Sequence, residues 1–287
     1  MSSKKITIIF LTTILCVITL IGLFTPVIGQ AFGANNTQKY FNISVVISNA
    51  APTITGVSAA SGTPTEGTTT AVHIYFNVTD TNGYTDVNPT QASANVTFNG
   101  VTRSSASCAD YGAWTGGNIR GVDCTINMNY YDESSASWDI SVRAIDGAAA
   151  VANDSNANTM TYDTLYAFTL EQSNINFNSA SPGATGLNAS DDPQVLNNTG
   201  NGAFTKINIT GHSLTNGEDT IGAGNFTVNA TADAAGMAVG SNILITGASL
   251  SVNSTQNLYV WLDLPSGLSN GTYSTNSTTN WLIEAYN

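Results

Sequence analysis

The sequence predicts an all-β fold: two tandem β-sandwich domains behind an N-terminal hydrophobic signal or anchor helix. Three observations carry this. Several stretches alternate apolar and polar residues with period two, which puts residues i, i+2 and i+4 on one face of a strand. Gly, Asn, Asp and Pro interrupt them at short intervals. After the N-terminal segment no amphipathic helical pattern competes. Short strands with turn signals between them favour sandwiches over alternating helix–strand units.

The N-terminal element comes first. Lys4 and Lys5 precede an apolar run over residues 6–28. Positive residues, an apolar stretch and then small residues are the order of an export signal. Gly29-Gln30-Ala31 offers a cleavage site that would leave Phe32 as the first residue. The run also suits an uncleaved anchor, because about 20 apolar residues span a bilayer. In that case only residues 6–28 would touch membrane. Cys16 follows Leu15 rather than a small residue, so a lipoprotein cleavage box is not supported.

The strands follow in order. Over 72–79, Val72, Ile74, Phe76 and Val78 share one face, and His73, Tyr75, Asn77 and Thr79 the other. Ile126, Met128 and Tyr130 alternate with polar neighbours over 125–130. Trp138, Ile140, Val142 and Ala144 point inward over 138–145, as do Leu258, Val260, Leu262 and Leu264 over 258–264. Further strands fit 41–48, 53–58, 94–98, 160–169, 174–178, 204–210, 225–230, 242–246 and 279–286. With residues 1–31 set aside, the remainder suffices for two domains of roughly 100–130 residues each. The expected division is 41–166 and 167–287, the first holding both remaining cysteines.

A resemblance adds to this. Ala51-Pro52-Thr53-Ile54, residues 73–78, Asp80-Thr81-Asn82-Gly83-Tyr84-Thr85-Asp86 and residues 138–146 resemble Ig-like repeats of prokaryotic surface proteins. The second half is similar to Ig-like modules of archaeal envelope proteins. Asn198-Thr199-Gly200-Asn201, Ile207-Asn208-Ile209-Thr210, Leu264-Pro265-Ser266-Gly267 and Gly271-Thr272-Tyr273 carry that similarity. Together these cover most of residues 41–287. They imply Ig-like sandwiches at the cell surface and no catalytic function.

Composition bounds the partners. Charged residues are 9% of the chain, with 19 Asp+Glu against 7 Lys+Arg and a net charge of −12. Removing residues 1–31 leaves 5 basic residues and a net of −14. So few cations leave no footprint for nucleic-acid phosphates. At 42% hydrophobic, the chain has enough apolar residues for a core. Asn (33) and Ser+Thr (67) hold the outward positions instead of charge. They make 13 Asn-x-Ser/Thr sequons where composition alone gives about eight. An outward Asn-x-Thr beside inward Ile, Val or Phe is itself a strand pattern, which accounts for part of the excess. The glycosylation candidates are Asn42, Asn77, Asn95, Asn208, Asn225, Asn229, Asn253 and Asn270.

Three local features invite chemistry. Cys108 and Cys124 read as a disulfide in an oxidising compartment, tying a 15-residue loop that is either a stapled insertion or a binding loop with Trp114 and Arg120 at its tip. Asp80, Asn82 and Asp86 set three oxygen ligands around Gly83, a partial calcium turn to which Asp146 could add a fourth; an Asx-turn is the plainer alternative. Asp132-Glu133 and Asp191-Asp192 read as solvated turn acids rather than catalytic pairs. With two His and no nucleophile–base set, the expectation is no enzyme and no cofactor beyond possible calcium.

The functional expectation is an exported, extracellular or cell-surface structural glycoprotein. It would be an S-layer, filament or adhesin-stalk component that associates with itself or other envelope proteins. Residues 41–48 would be the first strand of their own domain or a strand donated to a neighbour. The alternative is a carbohydrate- or protein-binding module using outward aromatics such as Tyr75, Tyr259 and Trp261.

Overall fold

In the computed structural model, residues 39–233, 236–275 and 280–287 are described, with Asn156 by its backbone alone. The hydrophobic segment over residues 6–28 and the sequons at Asn35 and Asn276 lie outside them. The described residues are all-β, with strands, turns and three short 3-10 turns.

The first sheet comprises β1 (Thr53–Val57), β2 (Ala60–Gly62), β3 (Thr69–Thr79), β4 (Ser93–Phe98), β5 (Val101–Asp110), β6 (Ile119–Asn129), β7 (Ser135–Ile145) and β8 (Val151–Tyr162). Its order is β1-β3-β6-β5-β4-β7-β8-β2. β1 and β2 are neighbours in sequence yet occupy opposite edges. β1 pairs antiparallel with β3, and β2 pairs parallel with β8. One short stretch can serve both edges only if the sheet curls until they meet.

The alternation explains what fills the curl. Ile74, Phe76, Val78, Ile126, Met128 and Ile140 expose no surface, and Trp138 almost none. Their polar neighbours face out. The Trp138 indole N–H, which would be costly to bury alone, donates to the Glu133 carbonyl at 3.0 Å. Each buried large apolar side chain contributes about 1.5–3 kcal/mol, so these two faces supply most of the drive to close.

The second part comprises β9 (Phe168–Leu170), β10 (Leu187–Asn188), β11 (Gln194–Asn198), β12 (Lys206–Thr210), β13 (Leu214–Thr215), β14 (Thr220–Ile221), β15 (Phe226–Asn229), β16 (Met237–Ala238), β17 (Ile243–Leu244), β18 (Thr255–Leu262) and β19 (Leu282–Tyr286). A six-stranded sheet runs β16-β15-β18-β11-β9, with β10 also on β18. Beside it lie a three-stranded sheet, β17-β12-β19, and a two-stranded one, β13-β14. A separate cluster, including Leu196, Ile207, Ile209, Phe226, Val228 and Val260, packs between them.

Residues 163–167 connect the two parts and are held by the Asn198-Thr199-Gly200-Asn201 turn. Asn201 Nδ2 donates to the carbonyls of Asp132 and Asp163, both at 2.9 Å, and its Oδ1 accepts from Leu165 N–H at 2.6 Å. Gly200 sits where an added Cβ would lie 2.2 Å from the Leu165 carbonyl oxygen, so only glycine fits there. Thr199 also donates to Glu66 at 2.8 Å. Residues 48–287 form one compact unit, and residues 1–47 group apart from it.

Three strand expectations need correction. Residues 41–48 are unpaired, with Phe41, Ile43, Val45 and Ile47 each at least three-quarters exposed. Alternation supplies one face but not the partner backbone that a strand needs. The span 160–169 splits into the end of β8 and β9, because the chain leaves one sheet for the other between them. The span 174–178 makes only an isolated bridge, Phe177 with Ala189.

Candidate functional site

The Asp80–Asp86 turn is the densest polar cluster. β3 ends at Thr79, and the Asp80 N–H donates to the Asn118 carbonyl at 2.8 Å. Gly83, at φ 109, reverses the chain into a 3-10 turn over Tyr84–Asp86. Asp86 then meets the end of β7 through the bridge between Val87 and Asp146. Ligand oxygens of Asp80, Asp86 and Asp146 come within 4.8 Å of one another. An added Cβ on Gly147 would lie 2.7 Å from Asp86 Oδ1, so this glycine leaves the carboxylate room to approach.

Burial makes the cluster unusual. Asp80 is 1% exposed and Asp146 2%. Asp146 accepts from the backbone of Ala148 (3.0 Å) and Ala150 (2.7 Å) and from Asn49 Nδ2 (2.8 Å). These bonds, Asn49's first, hold its carboxyl below the ordinary range against the cost of burial. Asp80 Oδ1 accepts from Asn82 N–H at 2.7 Å, while its Oδ2 is buried with no partner. Among the described residues no ion pair reaches these three aspartates; Arg103 pairs with Asp132 and Arg120 with Asp110.

Asn82, expected as a ligand, turns away from that role. Its Oδ1 accepts from Ala50 N–H at 2.8 Å and its Nδ2 donates toward the Ser48 carbonyl at 3.5 Å. Asp146, which the sequence offers as an added ligand, lies beside Asp80 and Asp86, brought there by the bridge at the end of β7.

Cys108 and Cys124 form a disulfide between directly opposed residues of β5 and β6. About half of the expected 15-residue loop, residues 109–110 and 119–123, is therefore strand. Only residues 111–118 form the hairpin tip, since Asp110 and Ile119 still belong to strands. Trp114 lies at this tip, 40% exposed. Arg120 does not; it is half-buried on β6, its Nε 3.1 Å from Asp110 Oδ1 and its guanidinium over the Tyr84 ring at 5.7 Å. The Tyr75 ring, outward on β3, meets Tyr111 at 4.7 Å and Trp114 at 6.0 Å. Period-two parity placed Tyr75 outward, but only the hairpin fold brings the other two rings to it. On the other part, Trp261 is buried rather than outward, and stacks on Tyr259 at 6.3 Å.

The remaining candidates divide by burial. Asn42, Asn253 and Asn270 are exposed, whereas Asn95, Asn208, Asn225 and Asn229 are half-buried. Asn77 is also half-buried, and its side-chain oxygen is covered because β1 pairs alongside β3 there. Asp132 is not a solvated turn acid. It is 4% exposed and takes Arg103 in a two-point ion pair, at 2.9 and 2.5 Å. Asp192 is half-buried, and desolvation pushes its carboxyl up to about 6 even though it accepts from Val260 N–H.

No protein-family model matches the chain, and no curated protein matches it. Among solved structures, a Corynebacterium diphtheriae protein described as membrane anchored aligns at 11% identity with a TM-score of 0.20. The alignment covers 82% of this chain and 54% of that one, so this chain spans about half of that protein's length.

Proposed function

We propose that this chain is an exported structural protein of the cell envelope, an S-layer, filament or adhesin-stalk component that works by assembly or display at the cell surface. The observation that carries the reading is the row Phe41, Ile43, Val45 and Ile47, alternating in sequence, in no strand and exposed. A strand-forming stretch with free N–H and C=O groups is a template for pairing with another chain. Its natural partner is an edge strand of a second copy. β19, paired only with β12 and exposing Leu282 and Tyr286, offers one.

Two tandem Ig-like sandwiches form the body in this reading. The order β1-β3-β6-β5 followed by β4-β7-β8-β2 supports it for the first, being that of an Ig constant-type sandwich with a split first strand. The disulfide departs from that pattern, since it joins neighbouring strands rather than crossing between sheets. Of the eight candidate sequons, Asn42, Asn253 and Asn270 are the exposed ones and the best placed for glycans. An intact mass of the native protein equal to the bare chain would overturn their occupancy.

Electron microscopy of the full chain, beside a variant lacking residues 39–47, tests the assembly. Filaments or lattices from the full chain and dispersed, folded particles from the variant are expected. A variant that still polymerises removes residues 39–47 as the assembling strand. A second reading is favoured by one observation, the Tyr75–Tyr111–Trp114 ring cluster: a carbohydrate- or protein-binding module. Dispersed full-length particles whose retention on immobilised polysaccharide is lost in Trp114→Ala would select that reading instead.

A further inference from the structure

We propose that Asp80, Asp86 and Asp146 bind one calcium ion, and that this ion latches the backbone at residues 48–50, the base of the exposed N-terminal row. The latch rests on the assembly reading above; the ion site does not.

The site is argued from an electrostatic conflict. Two carboxylates that are almost fully buried lie with a third inside 4.8 Å, and none of the described ion pairs touches them. Buried like charges at such distances are held apart from ionisation unless a cation or donors offset them. What can be counted is donors, and Asp146 has three. Asp80 has one, the Asn82 N–H at its Oδ1; its Oδ2 is buried and accepts from none of the described residues. An oxygen with lone pairs to spare, sealed from solvent among other carboxylates, is what a hard cation requires. The donors are all oxygen, which favours calcium or magnesium over softer metals. Three carboxylates, each able to bind through one or two oxygens, suit the large and flexible shell of calcium better than an ideal octahedron. Water would complete the shell.

The latch follows from what else the same residues hold. Asp146 Oδ2 accepts from Asn49 Nδ2 at 2.8 Å. Asp80 Oδ1 fixes Asn82 N–H at 2.7 Å, and Asn82 Oδ1 in turn accepts from Ala50 N–H at 2.8 Å. Two of the proposed ligands therefore each hold one link to the chain just after the exposed row. With calcium bound, the carboxylates are drawn together and both links are kept in register. Without it, three anions repel and the links loosen with them.

Calcium titration of the chelator-stripped full chain, followed by calorimetry, reads the site. One ion per chain is expected, with a dissociation constant on the order of 0.1–1 mM, as in extracellular modules. Melting temperature should rise with calcium and fall with chelator. Asp86→Asn, at the least buried ligand, should weaken binding about tenfold or more. Limited proteolysis within residues 39–50 reads the latch: calcium should slow it several-fold, and Asn82→Ala, which keeps its backbone N–H on Asp80 but loses the side-chain link to Ala50, should bind calcium normally but lose that protection. No heat with calcium and a melting temperature indifferent to chelator overturns the site, whether or not Asp86→Asn folds. Magnesium binding without calcium binding overturns the ion assignment. Calcium binding with unchanged proteolysis overturns the latch. Calcium binding and protection in a protein that never assembles leave the ion site standing and remove the assembly reading, and the latch's role in it, instead.

Discussion

Asp192 shows how a single residue sets a pH dependence. Desolvation raises its pKa to about 6 in the folded chain against an ordinary 3.8, so the folded state holds the proton more tightly than the unfolded one. Its contribution to stability is full below 3.8 and is lost as pH rises through about 6. Asp146 and Asp219 have the opposite sign. Asn49 holds the first and Ser269 the second below the ordinary 3.8, so their contributions are present above it and fade as pH falls through the lowered values. Asp192→Asn keeps an oxygen to accept from Val260 N–H but has no proton to lose. Urea midpoints should therefore rise relative to wild type above pH 6 and match it below pH 4. Equal midpoints across the range would show that Asp192 is not the group responsible. None of these signs was legible in the sequence, where Asp191-Asp192 reads as an exposed turn. Burial is set by β18, some 68 residues away.

At the scale of the element, the hairpin of β5 and β6 is the clearest case. Alternation gave Cys124 the inward parity of Ile126 and Met128, and it is fully buried. The pairing with Cys108 was legible from an exported chain with two cysteines left. That β5 continues to Asp110 was not, because its face toward solvent is Ser- and Thr-rich and carries no apolar alternation. The disulfide spans 16 residues, a closure of about 3 kcal/mol in the chain-entropy model. Replacing both cysteines by serine should lower stability by about that amount in chemical denaturation, with the sheet retained by far-UV circular dichroism. The flanking hydrogen-bonded register keeps the strands paired without it. A loss well under 1 kcal/mol would mean that the unfolded chain is already constrained there.

The whole molecule depends on the joint between its two parts. Asn201 is 7% exposed and its side chain satisfies three backbone groups from residues 132, 163 and 165. Asn201→Ala leaves those groups unmatched in a buried place, at a cost of about 1–3 kcal/mol. Calorimetry should show a lower melting temperature and a transition that splits as the two apolar clusters uncouple. A single transition at the wild-type temperature would show that Thr199 and Gly200 suffice to join them. The Asn198-Thr199-Gly200-Asn201 motif stood out in the sequence, but only as a turn. Its role as the joint appears only when β11 and the 163–167 connection are brought side by side.

The sequence by itself determined which face of the alternating strands over 72–79 and 138–145 is buried, that the described residues are all-β and which two cysteines pair. These follow from period-two alternation and composition, which act over a few residues. Tertiary structure decided what lies opposite each face. It left residues 41–47 without a partner strand, buried Trp261 and Asp132, moved Arg120 off the hairpin tip, and brought Asp146 to Asp80 and Asp86 while the Asn82 side chain turned to Ala50. The physical reason is the same each time. Pairing register and desolvation depend on residues tens of positions away, and no local pattern encodes which of them will arrive.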